Sequence, residues 1–289
     1  MSCIVQVNRE CNQACLYCSS FYADAPNDKM IERQIMAEKD QIVLSGGEPL
    51  LRTDLPKLVK LASKQGVNEI ELQSNGTLFF YPETAKKLVD AGVTIFNIAL
   101  PSHIESICDR ITRAKGFFGK RVQGIKNLLA AGANVRITLV ICSLNKDGLS
   151  GYAKFVAKNF PGIKILEFNT VKIEGLAREN QWLVPPLGSF DKGLASALKY
   201  CKSRGITALV DGVPLCHLQG FEKCSVDLLK IKKGRAERLH AAKEKGKKCG
   251  KCSIGKICLG VRKGYLALHG EGQLAPSGIS PKEFLAKAK

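Results

Sequence analysis

The chain has 289 residues, 45% of them hydrophobic, and a formal net charge of +18. No apolar run reaches the ~20 residues that a membrane-spanning helix needs, and residues 1–7 lack the charged start and apolar stretch of a secretory leader, so the expectation is a soluble cytoplasmic protein with no membrane partner. Twelve cysteines without such a leader argue against a disulfide scaffold and for metal or redox chemistry, and the positive balance favours anionic partners.

Short β-branched runs alternate with helical patterns through the first two thirds of the chain. Residues 4–7 read as a strand that runs into a cysteine-rich loop, and residues 41–44 as a second strand ending at Gly46-Gly47-Glu48-Pro49. Residues 55–64 have helical apolar spacing, 69–72 form a third strand, and 82–91 form a helix stopped at Gly92. Residues 94–100 are a fourth strand, 122–131 a helix, 135–141 a fifth strand, 149–160 a helix, 163–168 a sixth strand and 189–203 a helix.

Six strands, each followed by a helix, imply a parallel sheet with right-handed crossovers. Six units fall short of the eight of a closed barrel, so the expected fold is α/β, an open partial (β/α)6 barrel of the TIM type. Strands covered on both faces are expected to be almost wholly apolar. After Gly205 the pattern changes to a strand at 206–210 and then to cysteines, lysines and glycines. The chain therefore divides into a barrel at 1–205 and a cysteine-rich extension at 206–289.

Cys11, Cys15 and Cys18 form a Cys-x3-Cys-x2-Cys loop after the first strand, with Tyr17 beside the last of them. Three thiolates can bind three irons of a [4Fe–4S] cube and leave the fourth open, whereas a structural zinc site wants four ligands. Gly46-Gly47-Glu48-Pro49 ends the second strand, Asn75-Gly76 follows the third and Ser102 follows the fourth. Taken alone, the glycine pairs read equally as turns. Placed behind the cysteine loop, adjacent glycines allow close backbone approach to a ligand, and Glu48 offers an acceptor for an ammonium group. Arg136 and Asn145 are read either as facing this site or as core-edge and turn residues.

Cys11-Asn-Gln-Ala-Cys15-Leu-Tyr-Cys18 closely resembles the signature of the radical S-adenosylmethionine superfamily, and the resemblance extends over about residues 3–180. It implies a [4Fe–4S] cluster with an open iron on Cys11, Cys15 and Cys18. It also implies S-adenosyl-L-methionine bound near Tyr17, Gly46, Gly47, Glu48, Pro49, Asn75 and Ser102, with Gly175-Leu176-Ala177 as a further recurring element. In that family the reduced cluster cleaves S-adenosylmethionine to a 5′-deoxyadenosyl radical, which takes a hydrogen atom from the substrate. The electron comes from a donor such as flavodoxin or ferredoxin.

Five more cysteines, Cys216, Cys224, Cys249, Cys252 and Cys258, follow the barrel. They resemble the auxiliary-cluster extension called SPASM, or its shorter form, twitch, which implies a second [4Fe–4S] cluster. The match is partial, because Arg262 stands where a later cysteine would fall. Cys216, Cys224, Cys249 and Cys252 are the favoured ligands, Cys258 is the fifth candidate, and a structural zinc ion is the alternative. His217 is read as a surface residue, with a ligand role as the alternative, and Cys3, Cys108, Cys142 and Cys201 as small apolar residues.

The leading expectation is redox modification of a peptide, protein or small-molecule substrate, with the auxiliary cluster as electron acceptor. A second is modification of RNA, in particular transfer RNA. It is motivated by the basic stretch 230–251, which lies within residues 223–263, where eleven Lys and three Arg face three acidic residues. A third is a non-enzymatic iron–sulfur carrier, against which the Gly-Gly-Glu-Pro element argues.

Overall fold

A computed structural model describes residues 2–22, 27–218, 220–232 and 241–287. Seven strands form one sheet in the order β1 to β7: Ser2–Asn8, Gln41–Gly46, Glu69–Ser74, Ile95–Ala99, Val135–Ile141, Ile165–Thr170 and Thr207–Asp211. Every neighbouring pair is parallel. The strand expected to open the extension, at 206–210, is instead β7, paired to β6. The barrel thus has seven strands rather than six, and β1 and β7 are its two edges.

Helices fill the crossovers: α1 Asp28–Ala37, α2 Leu55–Lys64, α3 Pro82–Ala91, α4 Glu105–Thr112, α5 Phe118–Ala130, α6 Leu149–Asn159 and α7 Asp191–Ser203. In α2 the buried residues Leu55, Leu58, Val59 and Ala62 recur at helical spacing and pack on the sheet. Neither α1 nor α4 is among the helices expected above, although both bury residues at helical spacing. The first buries only Ile31 and Ile35, and the second buries Cys108, Ile111 and Thr112.

The strands are apolar on one face only, which corrects the expectation of wholly apolar strands. Val5, Val7, Ile42, Leu44, Leu72, Phe96, Ile98, Ile137, Leu139, Leu166 and Phe168 are fully buried. Many of the alternate residues are polar and face the barrel interior, although Val43, Ile95 and Leu209 are among the apolar ones. Register sets Gln6 beside Ser45, Gln73 beside Asn97, Asn97 beside Arg136, Thr138 beside Glu167 and Asn169 beside Asp211. Hydrogen bonds link them: Ser45 Oγ donates to Gln73 Oε1 (3.1 Å), Asn97 Nδ2 to Glu71 (2.8 Å) and Thr138 Oγ1 to Asn97 Oδ1 (2.6 Å). Arg136 pairs with Glu71 at 3.3 Å and Glu167 at 3.5 Å.

The extension contains α8 (Val226–Lys232), a short antiparallel ribbon of β8 (Lys243–Glu244) and β9 (Val261–Arg262), and helices α9 (Tyr265–His269) and α10 (Pro281–Lys287). Leu215, Leu228, Ile254 and Phe284 give it a small core of its own. A buried ion network docks it on the barrel edge. Arg262 reaches Asp211 of β7 at 2.8 Å, and Lys243 reaches Asp211 at 3.4 Å and Asp227 at 2.7 Å. His217 is not a surface residue. Its side chain is 7% exposed and ties Asp191 of α7 (2.7 Å) to the carbonyl of Gln273 (2.9 Å).

Candidate functional site

The cysteine loop leaves the C-terminal end of β1, where parallel α/β folds place their chemistry. It is fixed on two sides. The amides of Ala14 and Leu16 donate to the carbonyls of Thr112 and Ile111 at the end of α4 (3.1 and 2.9 Å). On the other side, Leu176 N donates to Cys18 O (2.9 Å) and Asn180 Nδ2 to Leu16 O (3.2 Å). A Cβ on Gly175 would stand 2.2 Å from Cys18 O, so only glycine lets the segment after β6 approach this closely.

The Gly46-Gly47 pair meets the chain itself. A Cβ on Gly46 would lie 2.4 Å from Asn8 O, and one on Gly47 would lie 2.1 Å from Glu10 O. Gly47 N and Glu48 N donate to Asn8 O and Glu10 O (2.9 and 2.7 Å). The glycines therefore let the end of β2 run against the backbone that feeds the cysteine loop.

Glu48 is buried. Its carboxylate accepts from Ser74 Oγ (2.7 Å), Asn75 N (2.7 Å) and Leu50 N (3.2 Å). Burial pushes its carboxyl up, and those bonds pull it down. A carboxylate has about four acceptor positions, so one is left. Pro49 is buried at the start of the turn that follows.

Asn75 knits the site together. Its Nδ2 donates to Asn12 Oδ1 (2.7 Å) and lies 4.0 Å from Cys11 Sγ, and its Oδ1 accepts from Thr77 N and Oγ1. Ser102 is buried, and its hydroxyl accepts from Ile104 N (3.0 Å) in the turn that opens α4. Tyr17 packs against the core, where burial holds its phenol well above the ordinary value. Asn145 takes the turn role: it bonds the carbonyls of Pro101 and Val140 and the amide of Cys142. Arg136 lies on the inner face of the barrel.

The three loop cysteines lie close enough to feel one another. Burial, then the Cys18 and Cys11 thiols, push Cys15 up to about 12, with Arg121 opposing. Burial also pushes the Cys11 thiol up, and a bound metal would invert that logic for its ligands. Two polar atoms beside the loop have no partner in the structure, Asn8 Oδ1 and Gln13 Nε2. Buried polar groups are normally paired, so these mark a place for something more. The residues present fit a cluster and a polar cofactor. Asn8, Asn12, Gln13 and Arg121 are absent from the sequence-based expectations, although three of them flank or lie within the cysteine motif.

Of the five later cysteines, the structure gathers four. Cys216, Cys249, Cys252 and Cys258 line one pocket with Gly255 and Ala275. Backbone amides point at the sulfurs: Gly260 N to Cys258 (3.4 Å) and Ser277 N to Cys252 (3.3 Å). Cys224 is not among the pocket residues and packs against the main core. Among the described residues, no three His, Cys, Asp or Glu side chains converge closely enough to share a single ion. Cys142 and Cys201 are buried as expected, but Cys108 accepts a hydrogen bond from Arg121 (2.8 Å). Residues 233–240, the middle of the basic segment, lie outside the described residues.

An open parallel α/β barrel with a three-cysteine loop over its polar mouth defines an iron–sulfur barrel enzyme. The Radical SAM superfamily profile matches residues 5–156, more than half of the chain, and the chain belongs to that superfamily. Its members use a [4Fe–4S] cluster and S-adenosylmethionine, so the non-enzymatic carrier reading is set aside. The chain is 29% identical over 180 residues to a probable GTP 3′,8-cyclase of Methanococcus aeolicus, covering 58% of this chain and 59% of that one. It is 30% identical over 152 residues to an Fe-coproporphyrin III synthase of Methanosarcina barkeri, covering 48% and 36%. The chain spans a little over half the length of the cyclases it matches. Among solved structures, anSMEcpe with bound AdoMet and a Kp18Cys peptide has a TM-score of 0.60 at 18% identity, covering 88% of this chain and 70% of that one. Streptococcus suis SuiB bound to precursor peptide SuiA has a TM-score of 0.59 at 14% identity, covering 76% and 50%. These two likenesses concern the fold.

Proposed function

We propose that this radical S-adenosylmethionine enzyme takes a hydrogen atom from a small polar molecule held inside the barrel, and that a second [4Fe–4S] cluster on Cys216, Cys249, Cys252 and Cys258 receives the electron left behind. The observation that carries the reading is the hydrogen-bonding inner face. There, Arg136 Nε and Asn169 Oδ1 are buried without partners, one a donor and the other an acceptor. Glu71 and Glu167 flank the single Arg136. That balance suits a neutral or zwitterionic molecule with donor and acceptor edges better than a polyanion. The similarity to GTP 3′,8-cyclases, whose name specifies a small molecule, supports a small molecule over a protein substrate, while the charge balance of this inner face favours one less anionic than GTP.

Cys11, Cys15 and Cys18 hold the first cluster in this reading. S-adenosylmethionine, when bound, supplies the hydrogen-abstracting radical. Glu48 offers its free acceptor position to the methionine ammonium, and the Gly46–Pro49 backbone, Asn75, Tyr17 and Ser102 shape the wall beside it. The second cluster is favoured over zinc because its four cysteines accompany a cluster-type cysteine loop in the same chain.

The test is 5′-deoxyadenosine formation by reconstituted protein under anaerobic conditions. The small-molecule fraction of a cell extract should raise the rate above the uncoupled background, and Cys15→Ala should abolish cleavage altogether. Stimulation by the protein or RNA fraction alone would refute the substrate assignment. Full cleavage by Cys15→Ala would refute the cluster assignment.

A further inference from the structure

Arg121, on α5, is among the largest fully buried side chains, at 1% exposure. Burying a cation is costly unless it is paired. Its hydrogen-bond partners are all formally neutral: Nε donates to Asn75 O (2.7 Å), Nη1 to Cys108 Sγ (2.8 Å) and Nη2 to Gln13 Oε1 (3.1 Å). None of the ion pairs among the described residues includes it. Cys108 is not its counter-charge, because burial holds that thiol above its ordinary value despite the arginine. Glu48 feels the guanidinium only as the weakest of five influences and is already held by three donors.

The three partners of Arg121 have one thing in common. Gln13 lies between Cys11 and Cys15 in the cysteine loop, Asn75 reaches toward Cys11, and Cys108 is on the helix whose end carries that loop. The cation is thus stationed behind the place where three thiolates would gather negative charge. We infer that Arg121 is a positioning residue whose charge balances the cluster held by Cys11, Cys15 and Cys18 and raises the potential at which that cluster accepts an electron. This rests on the ligand assignment proposed above. Reduction adds one negative charge to the cluster, and a fixed cation in a poorly screened interior favours the more negative state. Arg121 therefore acts on the driving force of the electron-transfer step while touching neither substrate nor cofactor.

The experiment is a redox titration of reconstituted protein followed by electron paramagnetic resonance, reading the reduced-cluster signal that changes when S-adenosylmethionine is added. Arg121→Gln keeps hydrogen-bonding capacity without charge, and Arg121→Lys keeps charge with a different shape. Arg121→Gln should make reduction at least tenfold less favourable, a fall of 59 mV or more for one electron. Arg121→Lys should recover at least half of that fall. If Arg121→Gln fails to load iron at the first site while Arg121→Lys loads, the charge requirement stands. Equal potentials in wild type and Arg121→Gln would overturn the inference, as would a shift in Arg121→Lys as large as that in Arg121→Gln, or failure of both variants to load. Absence of any S-adenosylmethionine-responsive signal in the wild type would instead overturn the ligand assignment, and the inference with it.

Discussion

Asp211→Asn removes one charge from the network that docks the extension and leaves the side chain's size unchanged. In the wild type Asp211 faces Arg262 at 2.8 Å and Lys243 at 3.4 Å, and Lys243 keeps Asp227 at 2.7 Å. After the substitution Lys243 retains a charged partner, but Arg262 is left with neutral acceptors only, the Asn amide oxygen and the hydroxyl of Thr170. Breaking a buried pair on one side costs roughly 3–5 kcal/mol, and the surviving Lys243–Asp227 pair places this case near about 3 kcal/mol. For a chain of this size that is a fall in melting temperature on the order of 6–12 °C. The assay is thermal unfolding at pH 7, with limited proteolysis of the extension as a local readout. Adding Arg262→Met should restore most of the loss, because the orphaned cation is then gone. The pH dependence has a definite sign. Burial alone would raise the Asp211 carboxyl, but Arg262 and then Lys243 overcome this and hold it well below the ordinary carboxylate range. Its contribution is therefore complete above about pH 4 and is lost as the pH falls further into the acid range. A double variant less stable than Asp211→Asn alone would refute the reasoning.

Two more outcomes follow from the sites. Gly47→Ala would set a methyl group 2.1 Å from Glu10 O and 2.6 Å from Arg9 O, both backbone atoms; the chain feeding the cysteine loop must move, at a cost of about 1–3 kcal/mol, and iron at the first site should be lost with the second retained. With two clusters the wild type should hold about eight irons per chain; Cys224→Ala should leave that level unchanged, whereas Cys258→Ala should reduce it to about four.

The barrel was legible because its strands and helices carry their own punctuation: Gly92, Gly132 and Gly205 end helices, and the cysteine and Gly-Gly-Glu-Pro motifs end strands. β7 was misplaced because its sequence looks the same whether it opens a new unit or completes a sheet; only its pairing with β6 decides. The polar inner face was written in alternations such as Glu71-Leu72-Gln73 and Arg136-Ile137-Thr138, but the assumption that both faces of a parallel sheet are dry hid it. Arg121 had a signal too. It occupies a position on the buried stripe with Gly124, Ile125 and Leu128, where a cation is out of place. The choice of Cys258 over Cys224 had none, since both lie at reasonable spacings and the folding of the extension alone brings one in and leaves the other out. The inward turn of His217 was equally hidden, because its partners Asp191 and Gln273 are distant in sequence.

The tethers of the cysteine loop also bear on how the protein is made. Residues 11–18 are synthesised well before the segments that shape the loop, Ile111 and Thr112 and then Asn180, whose bond to Leu16 spans 164 positions. At ~5–20 residues per second, on the order of ten seconds separates the appearance of the thiols from the arrival of their last support. Until β6 and the segment after it have formed, the loop lacks the bonds that Leu176 and Asn180 make to Cys18 O and Leu16 O. The cysteine loop is thus tethered on its second side only after the segment that follows β6 has been made.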